Sequence, residues 1–392
     1  MSAQESSTTV YLDHAATTPL DPRVREVMAP WLAQSFGNPS SRHRAGIAAT
    51  QAIDAARIQV ARAVGAGRAQ IVFTSGGTEA NNLGVLGAAR ARAKLGKHVL
   101  VGPSEHACVR APAQALASEG FEVETLALTR TGALDLEHAA SKLRADTVLV
   151  AQMFVQNEVG TIYPVRELAR LVRARSQHAS IHVDAVQAFG KVELSFVELG
   201  CDTLALAAHK LHGPQGAGAL IVREGHALQP LVHGGGQERG LRSGTENVAG
   251  IVGFGRAAEL AELERATSDA RVRELRAQLL RGLASSSGAR VLETGTPQLG
   301  GVPGIVAVLL PGLPSEVRMH HLEELGVVVS AGSACQSKKT EQSPVLTALG
   351  IGHDDARTML RISLSRMSTP ADIERFLAAA RAVETQHAPA RA

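Results

Sequence analysis

This 392-residue sequence predicts an α/β fold, with a mostly parallel sheet sandwiched by helices and a smaller α+β region at the C-terminal end. Three observations carry that prediction. Short apolar runs alternate with amphipathic helical stretches from Gln70 to Val222, a spacing satisfied by parallel strands joined by crossover helices. Apolar residues make up 45% of the chain and aromatics only 3%, so sizeable cores must be built from Ala, Val and Leu in tightly packed layers. Near Glu246 the composition changes to a long Ala-, Glu-, Leu- and Arg-rich helical stretch, followed by a mixed region. The expected division is a disordered N-terminus (1–9), a large domain (10–255) whose first strand and helix can pack with the small domain, and a small domain (256–392).

In chain order, Val10 to Leu12 reads as a strand. Asp13 to Pro22 reads as a loop ending at a helix start, with Asp21 as N-cap and Pro22 in the first turn. That helix runs to about Ala33, and after a Gly/Asn/Pro/Ser loop (Phe36 to Ser41) a second spans about Ala45 to Val64. Strands at Ile71–Thr74, Val99–Val101, Val123–Leu126 and Val148–Met153 each lead to a helix, starting at Thr78, about His106, Asp135 and Val165. Ile181 to Val183 ends at Asp184. Leu204 to Ala207 is too short and small-sided for a helix bounded by Gly213 and Pro214, and reads as a buried strand. Ala217 to Val222 returns after a short glycine turn and is expected to pair antiparallel as an added strand. A helix from Glu246 to about Leu283 has a soft spot at Thr267 and Ser268. The last region offers a strand at Val306–Leu310, a helix at Ser315–Leu325, a polar loop around Ser330–Ser343, a strand at Met359–Leu364 and a helix from Pro370.

Composition excludes several classes of function. Lys+Arg 40 against Asp+Glu 37, with no long basic run, gives no reason to expect nucleic acid. Cys108, Cys201 and Cys335 are far apart without C-x-x-C spacing, so neither a disulfide framework nor a metal site is indicated, and a reducing cytoplasm fits. The start is polar, and no apolar run approaches a membrane span.

Three features carry chemistry. Lys210 ends a buried apolar run, where a desolvated amine loses its proton readily and can condense with a carbonyl; a strand-end lysine reaching for water is the competing reading. The loop Thr74 to Asn82 places Gly76 and Gly77 between a strand and a helix, so that backbone amides and the Thr78 hydroxyl can cradle a phosphate. An ordinary capped helix start fits equally well. Asp184 ends the strand I-H-V-D and points a carboxylate toward the crevice at the strand ends, or merely caps a turn. Together the three match the needs of pyridoxal 5′-phosphate: a lysine for its aldehyde, a carboxylate for its ring nitrogen and donors for its phosphate.

Five further blocks add specificity. S-G-G-T-E-A-N-N, H-V-D-A-V-Q, A-H-K-L-H-G-P, the stretch His233 to Asn247 and S-A-G-S-A-C-Q-S (Ser330 to Ser337) occur in one order, preceded by Y-L-D-H-A-A-T-T-P and G-N-P-S-S-R-H. The sequence thereby resembles the cysteine desulfurases of the class V aminotransferase group over about Tyr11 to Arg366, with selenocysteine lyase as a close relative. The resemblance implies the pyridoxal-phosphate fold type I with a seven-stranded-type sheet. It makes Lys210 the cofactor-binding lysine and Asp184 the ring-nitrogen partner. Asn157 and Gln187 become donors to the ring hydroxyl edge, and Gly77, Thr78 and His209 the phosphate holders. Thr245 would reach the phosphate of a neighbouring subunit, giving a homodimer with shared sites. His106 would stack on the ring and move protons, while Arg361, Asn38 and Asn157 would bind the substrate, Arg361 through its carboxylate.

Cys335 decides the chemistry the resemblance implies: it would take sulfur from L-cysteine as a persulfide, release L-alanine, and pass the sulfur to an iron-sulfur scaffold or a thiolation carrier. Its neighbours are small and polar, with Lys338 and Lys339 close in sequence to favour the thiolate, whereas Cys108 and Cys201 read as inert core cysteines. His14, His43, His212 and His233 read as loop or supporting histidines. The chain departs from the family pattern at Ala207 and Ala208, where a serine and a glycine are common, at Phe154 for histidine and at Val186 for threonine. A selenocysteine lyase using the same residues, a catalytically silent cofactor-binding scaffold, and an aminotransferase with no use for Cys335 are the competing readings.

Overall fold

The structure, a computed structural model, describes residues 9–286, 288–296, 298–331 and 342–387. The expected disorder at 1–9 falls, for residues 1–8, outside the described residues, and so does Cys335 with the lysines beside it.

The chain opens with β1 (Val10–Tyr11), α1 (Pro22–Ala33) and α2 (Arg44–Ala63); Asp21 caps α1 by accepting from the Arg23 N–H at 2.9 Å. After β2 (Ile71–Thr74), α3 (Gly77–Asn82), a π-turn (Leu83–Gly87) and α4 (Ala88–Ala91) follow without a break. Alternation then continues through β3 (His98–Val101), α5 (Ala107–Ser118), β4 (Glu122–Thr125), α6 (Leu136–Lys142), β5 (Thr147–Met153), α7 (Val165–Arg175), β6 (Ser180–Asp184), α8 (Phe196–Leu199), β7 (Thr203–Ala207) and β8 (Gly218–Val222). These strands form one seven-stranded sheet in the order β2-β8-β7-β6-β5-β3-β4. The pairs from β7 to β4 are parallel, and β8 runs antiparallel to both β7 and β2, as its short glycine turn requires. Every residue of β5, β6, β7 and β8 is buried, which explains why these strands read as continuous apolar runs rather than as alternating ones.

The 36-residue α9 (Val248–Leu283) continues straight through Thr267 and Ser268, against the expected soft spot. Tertiary contacts supply what the local sequence lacks. Glu264 pairs with Arg23 of α1 at 2.5 Å and with Arg366 at 3.0 Å, and Arg271 donates to the Ser368 carbonyl at 2.9 Å, so the weak turn is held on both sides. The first half of α9 lies on α2, where a Cβ at Gly255 would come within 2.6 Å of the Ala56 Cα. Its second half buries Val272, Leu275, Leu279 and Leu283 in a separate core.

That core is shared with β9 (Arg290–Val291), β10 (Ile305–Leu309), α10 (Ser315–Glu324), β11 (Val327–Val328), β12 (Met359–Ser363) and α13 (Pro370–Gln386), while α11 (Pro344–Ala348) and α12 (His353–Ala356) pack in a smaller cluster with Leu309 and Met359. β12, β10 and β9 form an antiparallel sheet, and β1 pairs in parallel with β11, tying the start of the chain to this layer. β9, β11, α8, α11 and α12 are two to five residues long, too short to leave a period in the sequence. Among the described residues no helix is long and apolar enough to cross a membrane.

Phe254 of α9 is fully buried and meets Phe73 and Phe189 edge-to-face at 6.4 and 6.2 Å, joining the helix to the large sheet. Phe254→Ala should destabilise the fold by about 3–5 kcal/mol, read as a lowered urea midpoint at unchanged slope.

Candidate active site

Because β3, β5, β6 and β7 are parallel, and β2 runs the same way beyond antiparallel β8, their C-terminal ends deliver side chains to one edge of the sheet. The crevice there encloses about 410 Å³. Gly77 and Thr78 follow β2, His106 follows β3, Asn157 follows β5, Asp184 and Gln187 follow β6, and His209 and Lys210 follow β7; all of them line it, with Arg361 of β12. Two expected site residues are elsewhere. Asn38 is exposed and its side-chain oxygen accepts from the Ser40 N–H at 2.9 Å, and Thr245 is exposed in the loop before α9.

Lys210 is the last residue of a single 3₁₀ turn after β7. Its ammonium donates to the carbonyls of Ala15 and Ala16, both at 2.6 Å, so the amine is held inside the fold rather than reaching for water. The same N-terminal loop grips the turn from outside: Thr18 donates its hydroxyl to the His209 carbonyl at 2.9 Å, and His209 Nδ1 lies 3.1 Å from the Thr17 hydroxyl. These contacts join residues almost 200 positions apart, so no local pattern could reveal them.

Asp184 ends a directed chain of donors. Its Oδ1 accepts from the Val186 N–H at 2.9 Å, and its Oδ2 from Asn81 Nδ2 at 2.8 Å. Since Asn81 turns its amide nitrogen to the carboxylate, its oxygen must accept from His182 Nε2 at 2.8 Å, leaving His182 Nδ1 to accept from the Thr203 hydroxyl at 2.9 Å. Burial pushes the Asp184 pKa above the ordinary carboxylate range, opposed first by the Val186 N–H and also by the Asn81 amide and the Lys210 charge. A carboxylate so placed is most stable opposite a cation or a strongly polarised N–H.

The Thr74–Asn82 loop turns at Gly76, whose φ of 154° and ψ of −177° suit glycine alone. A Cβ on Gly77 would come within 2.8 Å of Val186 Cγ2, so the missing side chain keeps the mouth of the loop open beside Thr78. The first amides of α3 have no carbonyl partner within their own helix and are available to an anion.

Arg361 is buried and bound: Nη2 pairs with Asp13 at 2.7 Å and Nη1 donates to the Asn157 carbonyl at 3.0 Å. On the opposite wall, His106 caps α5, and its Nδ1 takes the Cys108 N–H at 3.2 Å. Burial lowers the His106 pKa, so the ring is held neutral with Nε2 as the remaining proton-bearing nitrogen. Cys108 corrects the expectation of an apolar core cysteine. Its sulfur lies 2.9 Å from His106 Nδ1, 3.1 Å from Asn81 Nδ2 and 4.0 Å from Asp184 Oδ2, while burial raises its pKa and keeps it a thiol. Cys201 is buried in the core, as expected. Glu105 and Glu158 are buried in the same wall with raised pKa values, chiefly from burial. Asp13 and Asn81, within stretches the sequence marks out, and Lys191, which donates to Gln187 Oε1 at 2.6 Å, take roles here that no local signal announces. His14 and His212 stand behind Lys210, whereas His43 caps α2 and His233 is exposed.

Lysine, buried acceptor and anion loop surround one space, and the residues fit pyridoxal phosphate. The buried carboxylate suits a protonated ring nitrogen, and the open glycine loop suits a phosphate.

Burial lowers the pKa of His14 and His182 to about 3 and of His212 to about 4. Each of the three binds a proton near pH 6.5 only in the unfolded chain, so stability should fall as pH drops from about 6.5 toward about 4, by at most about 1.4 kcal/mol per pH unit for each ring. Urea unfolding at pH 7 and pH 5 reads this slope, which His212→Gln should reduce.

The class-V aminotransferase family model matches residues 10–376. "Cysteine desulfurase IscS 1" of Archaeoglobus fulgidus is 41% identical over 367 residues, covering 94% of each chain. A solved "NifS-like protein" superposes with a TM-score of 0.90 at 35% identity, over 97% of this chain and 100% of the other. The structure titled "SspA in complex with cysteine" gives a TM-score of 0.80 at 33% identity, over 92% and 100%.

Proposed function

The chain belongs to the class-V aminotransferase family and is a pyridoxal-phosphate-dependent cysteine desulfurase, and we propose that Lys210, His106 and Cys335 are its catalytic residues. The observation that carries this reading is the convergence of Lys210, Asp184 and the Gly76–Thr78 loop on one crevice from three different strands.

Gly77, Thr78 and His209 would hold the phosphate, Asp184 the ring nitrogen, Asn157 and Gln187 the ring hydroxyl edge, with His106 against the ring face. Bound there, pyridoxal phosphate supplies an aldehyde to capture the substrate amine and a protonated ring to take up charge from the adjoining carbon. Lys210, once released from the Ala15 and Ala16 carbonyls, is the amine that accepts the substrate α-proton. Arg361 offers the two-pronged donor that suits the substrate carboxylate, already aimed by Asp13 and the Asn157 carbonyl. His106, neutral and with Nε2 available, moves protons to and from the leaving fragment.

Cys335 is assigned from the sequence, supported by the chain on either side of its segment. Ser330 exchanges backbone bonds with Arg361 at 2.7 and 3.2 Å, and Ser343 and Pro344 line the crevice wall. The exchange balances: L-cysteine and the Cys335 thiol give L-alanine and a Cys335 persulfide.

A homodimer, in which Thr245 and Asn38 complete the neighbouring subunit's crevice, accounts for two site residues that stand outside their own. The strongly exposed Leu32 and Phe36, near α1 and α2, offer apolar surface for such contact. A large cofactor-holding domain (10–255) and a small domain (256–392) remain the proposed division, with α9 running unbroken across the boundary, Ala257 to Ala261 packed in the large core, and Val10 and Leu12 in the small one. The sulfur passes to an iron-sulfur scaffold or a thiolation carrier in the cytoplasm, a compartment consistent with the free thiols of Cys108 and Cys201.

Purified protein given L-cysteine should release L-alanine and carry a persulfide that peptide mapping places on Cys335. Cys335→Ala should keep the visible absorption of the bound cofactor and lose alanine release; normal turnover in this variant would remove Cys335 from the mechanism. Lys210→Ala should abolish turnover and the absorption typical of a lysine-bound cofactor.

A further inference from the structure

After Asp184 the chain makes a helical turn in which the Phe189 N–H bonds to the Ala185 carbonyl and the Val192 N–H to the Ala188 carbonyl. This turn sets Gln187 and Lys191 four residues apart on one face. Lys191 Nζ lies 2.6 Å from Gln187 Oε1, and Gln187 Nε2 lies 2.7 Å from the Ala15 carbonyl, which also accepts from Lys210 Nζ at 2.6 Å.

The donor and acceptor types leave no choice of amide orientation. A lysine nitrogen donates and a backbone carbonyl only accepts, so Lys191 and Ala15 both require the Gln187 oxygen on the Lys191 side and its NH₂ on the Ala15 side. One N–H of that NH₂ is used by Ala15. The second belongs to a buried residue in the crevice wall. Without Lys191, the amide oxygen would lose its donor and the side chain would be held by the Ala15 carbonyl alone.

We propose that Lys191 is a positioning residue of the active site: it locks the Gln187 side chain so that an amide N–H, not the carbonyl oxygen, faces the ring hydroxyl edge of the cofactor. This rests on the assignment of Gln187 to that edge. The contact persists when Lys191 is neutral, its pKa being lowered to about 7 by burial and by the neighbouring Lys210 and Arg361 charges, because a neutral amine still donates and the Ala15 carbonyl, which only accepts, keeps the Gln187 NH₂ turned toward it. Lys191 also explains why the Ala15 carbonyl, gripped by Gln187, stays in place as an anchor for Lys210.

The test follows the visible absorption of the bound cofactor with pH in reconstituted holoenzyme, comparing wild type with Gln187→Ala, Lys191→Met and Lys191→Arg. Loss of a donor to the ring oxygen disfavours its deprotonated form, so Gln187→Ala should raise the transition by about 0.5–1 pH unit. Lys191→Met should shift it in the same direction, Lys191→Arg should restore the wild-type value, and the Lys191→Met/Gln187→Ala double variant should shift no further than the larger single change. Lys191→Leu serves as a second donor-free variant if Lys191→Met does not accumulate folded. A wild-type titration in the donor-free Lys191 variant beside a shifted Gln187→Ala overturns the role of Lys191 alone. An unshifted Gln187→Ala overturns the seat of Gln187 at the ring edge and this inference with it.

Discussion

A carboxylate buried at the end of a parallel strand is the constraint on which the site depends. Asp184 cannot keep its charge there without donors, and its neighbours are arranged to supply them. Val186 bends back to give one N–H, while Thr203, His182 and Asn81 relay hydrogen bonds toward the other oxygen. Every member of that relay has its direction set by the next, so the polar network is both satisfied and unique in its arrangement. The network also ties β6 and β7 to α3, the helix that follows the glycines of the phosphate loop. Acceptor and anion loop therefore keep a constant separation, as a single rigid ligand requires.

The second organising feature is the loop from Asp13 to Thr18. Its carbonyls hold Lys210, its Asp13 holds Arg361, and Ala15 takes the Ser363 hydroxyl as an acceptor for its N–H at 2.9 Å. An N-terminal segment thus lies between a lysine from the large sheet and an arginine from β12, in contact with both. Behind it, buried Asp21 pairs with Arg23 at 2.8 Å and with Arg366 at 2.5 Å, and Glu264 completes the cluster. Removing one partner from such a cluster costs more than the pair contributes, because the remaining buried charge is left without compensation. The placement of these ions at the junction of α1, α9 and the chain after β12 accounts for the continuity of α9 through its locally weak turn.

The chemistry of the catalytic wall is set by water exclusion. Burial holds His106, His14 and His212 neutral and Cys108 as a thiol, so proton-accepting capacity is concentrated on a few groups rather than dispersed over the crevice. Ala207 and Ala208, which replace residues common in the family, are completely buried; the turn is gripped instead through the Thr17, Thr18 and His209 contacts.

The strands, their parallel arrangement and the antiparallel β8 were legible in the sequence because strands buried on both faces must be apolar throughout and short glycine turns cannot cross over. Lys210, Asp184 and the Gly76–Thr78 loop were legible for a related reason: each sits where an apolar run stops, and polar groups at such ends stand out. The short strands β9 and β11 and the one-turn helices α8, α11 and α12 were not, since they have no period to detect, and the continuity of α9 contradicted its own local composition. Cys108 is the unreactive thiol expected, but its polar partners were not legible, because its neighbours in sequence say nothing of Asn81 and Asp184, which meet it only in space. The sequence by itself determined which residues are available for the chemistry and on which strand ends they ride. Only the tertiary structure decided how they are held: the Ala15 carbonyl under Lys210, Asp13 on Arg361, Asn81 on Asp184 and Lys191 on Gln187. Apart from the last, these contacts span from 103 to 348 residues, and distances of that kind are set by packing rather than by local pattern.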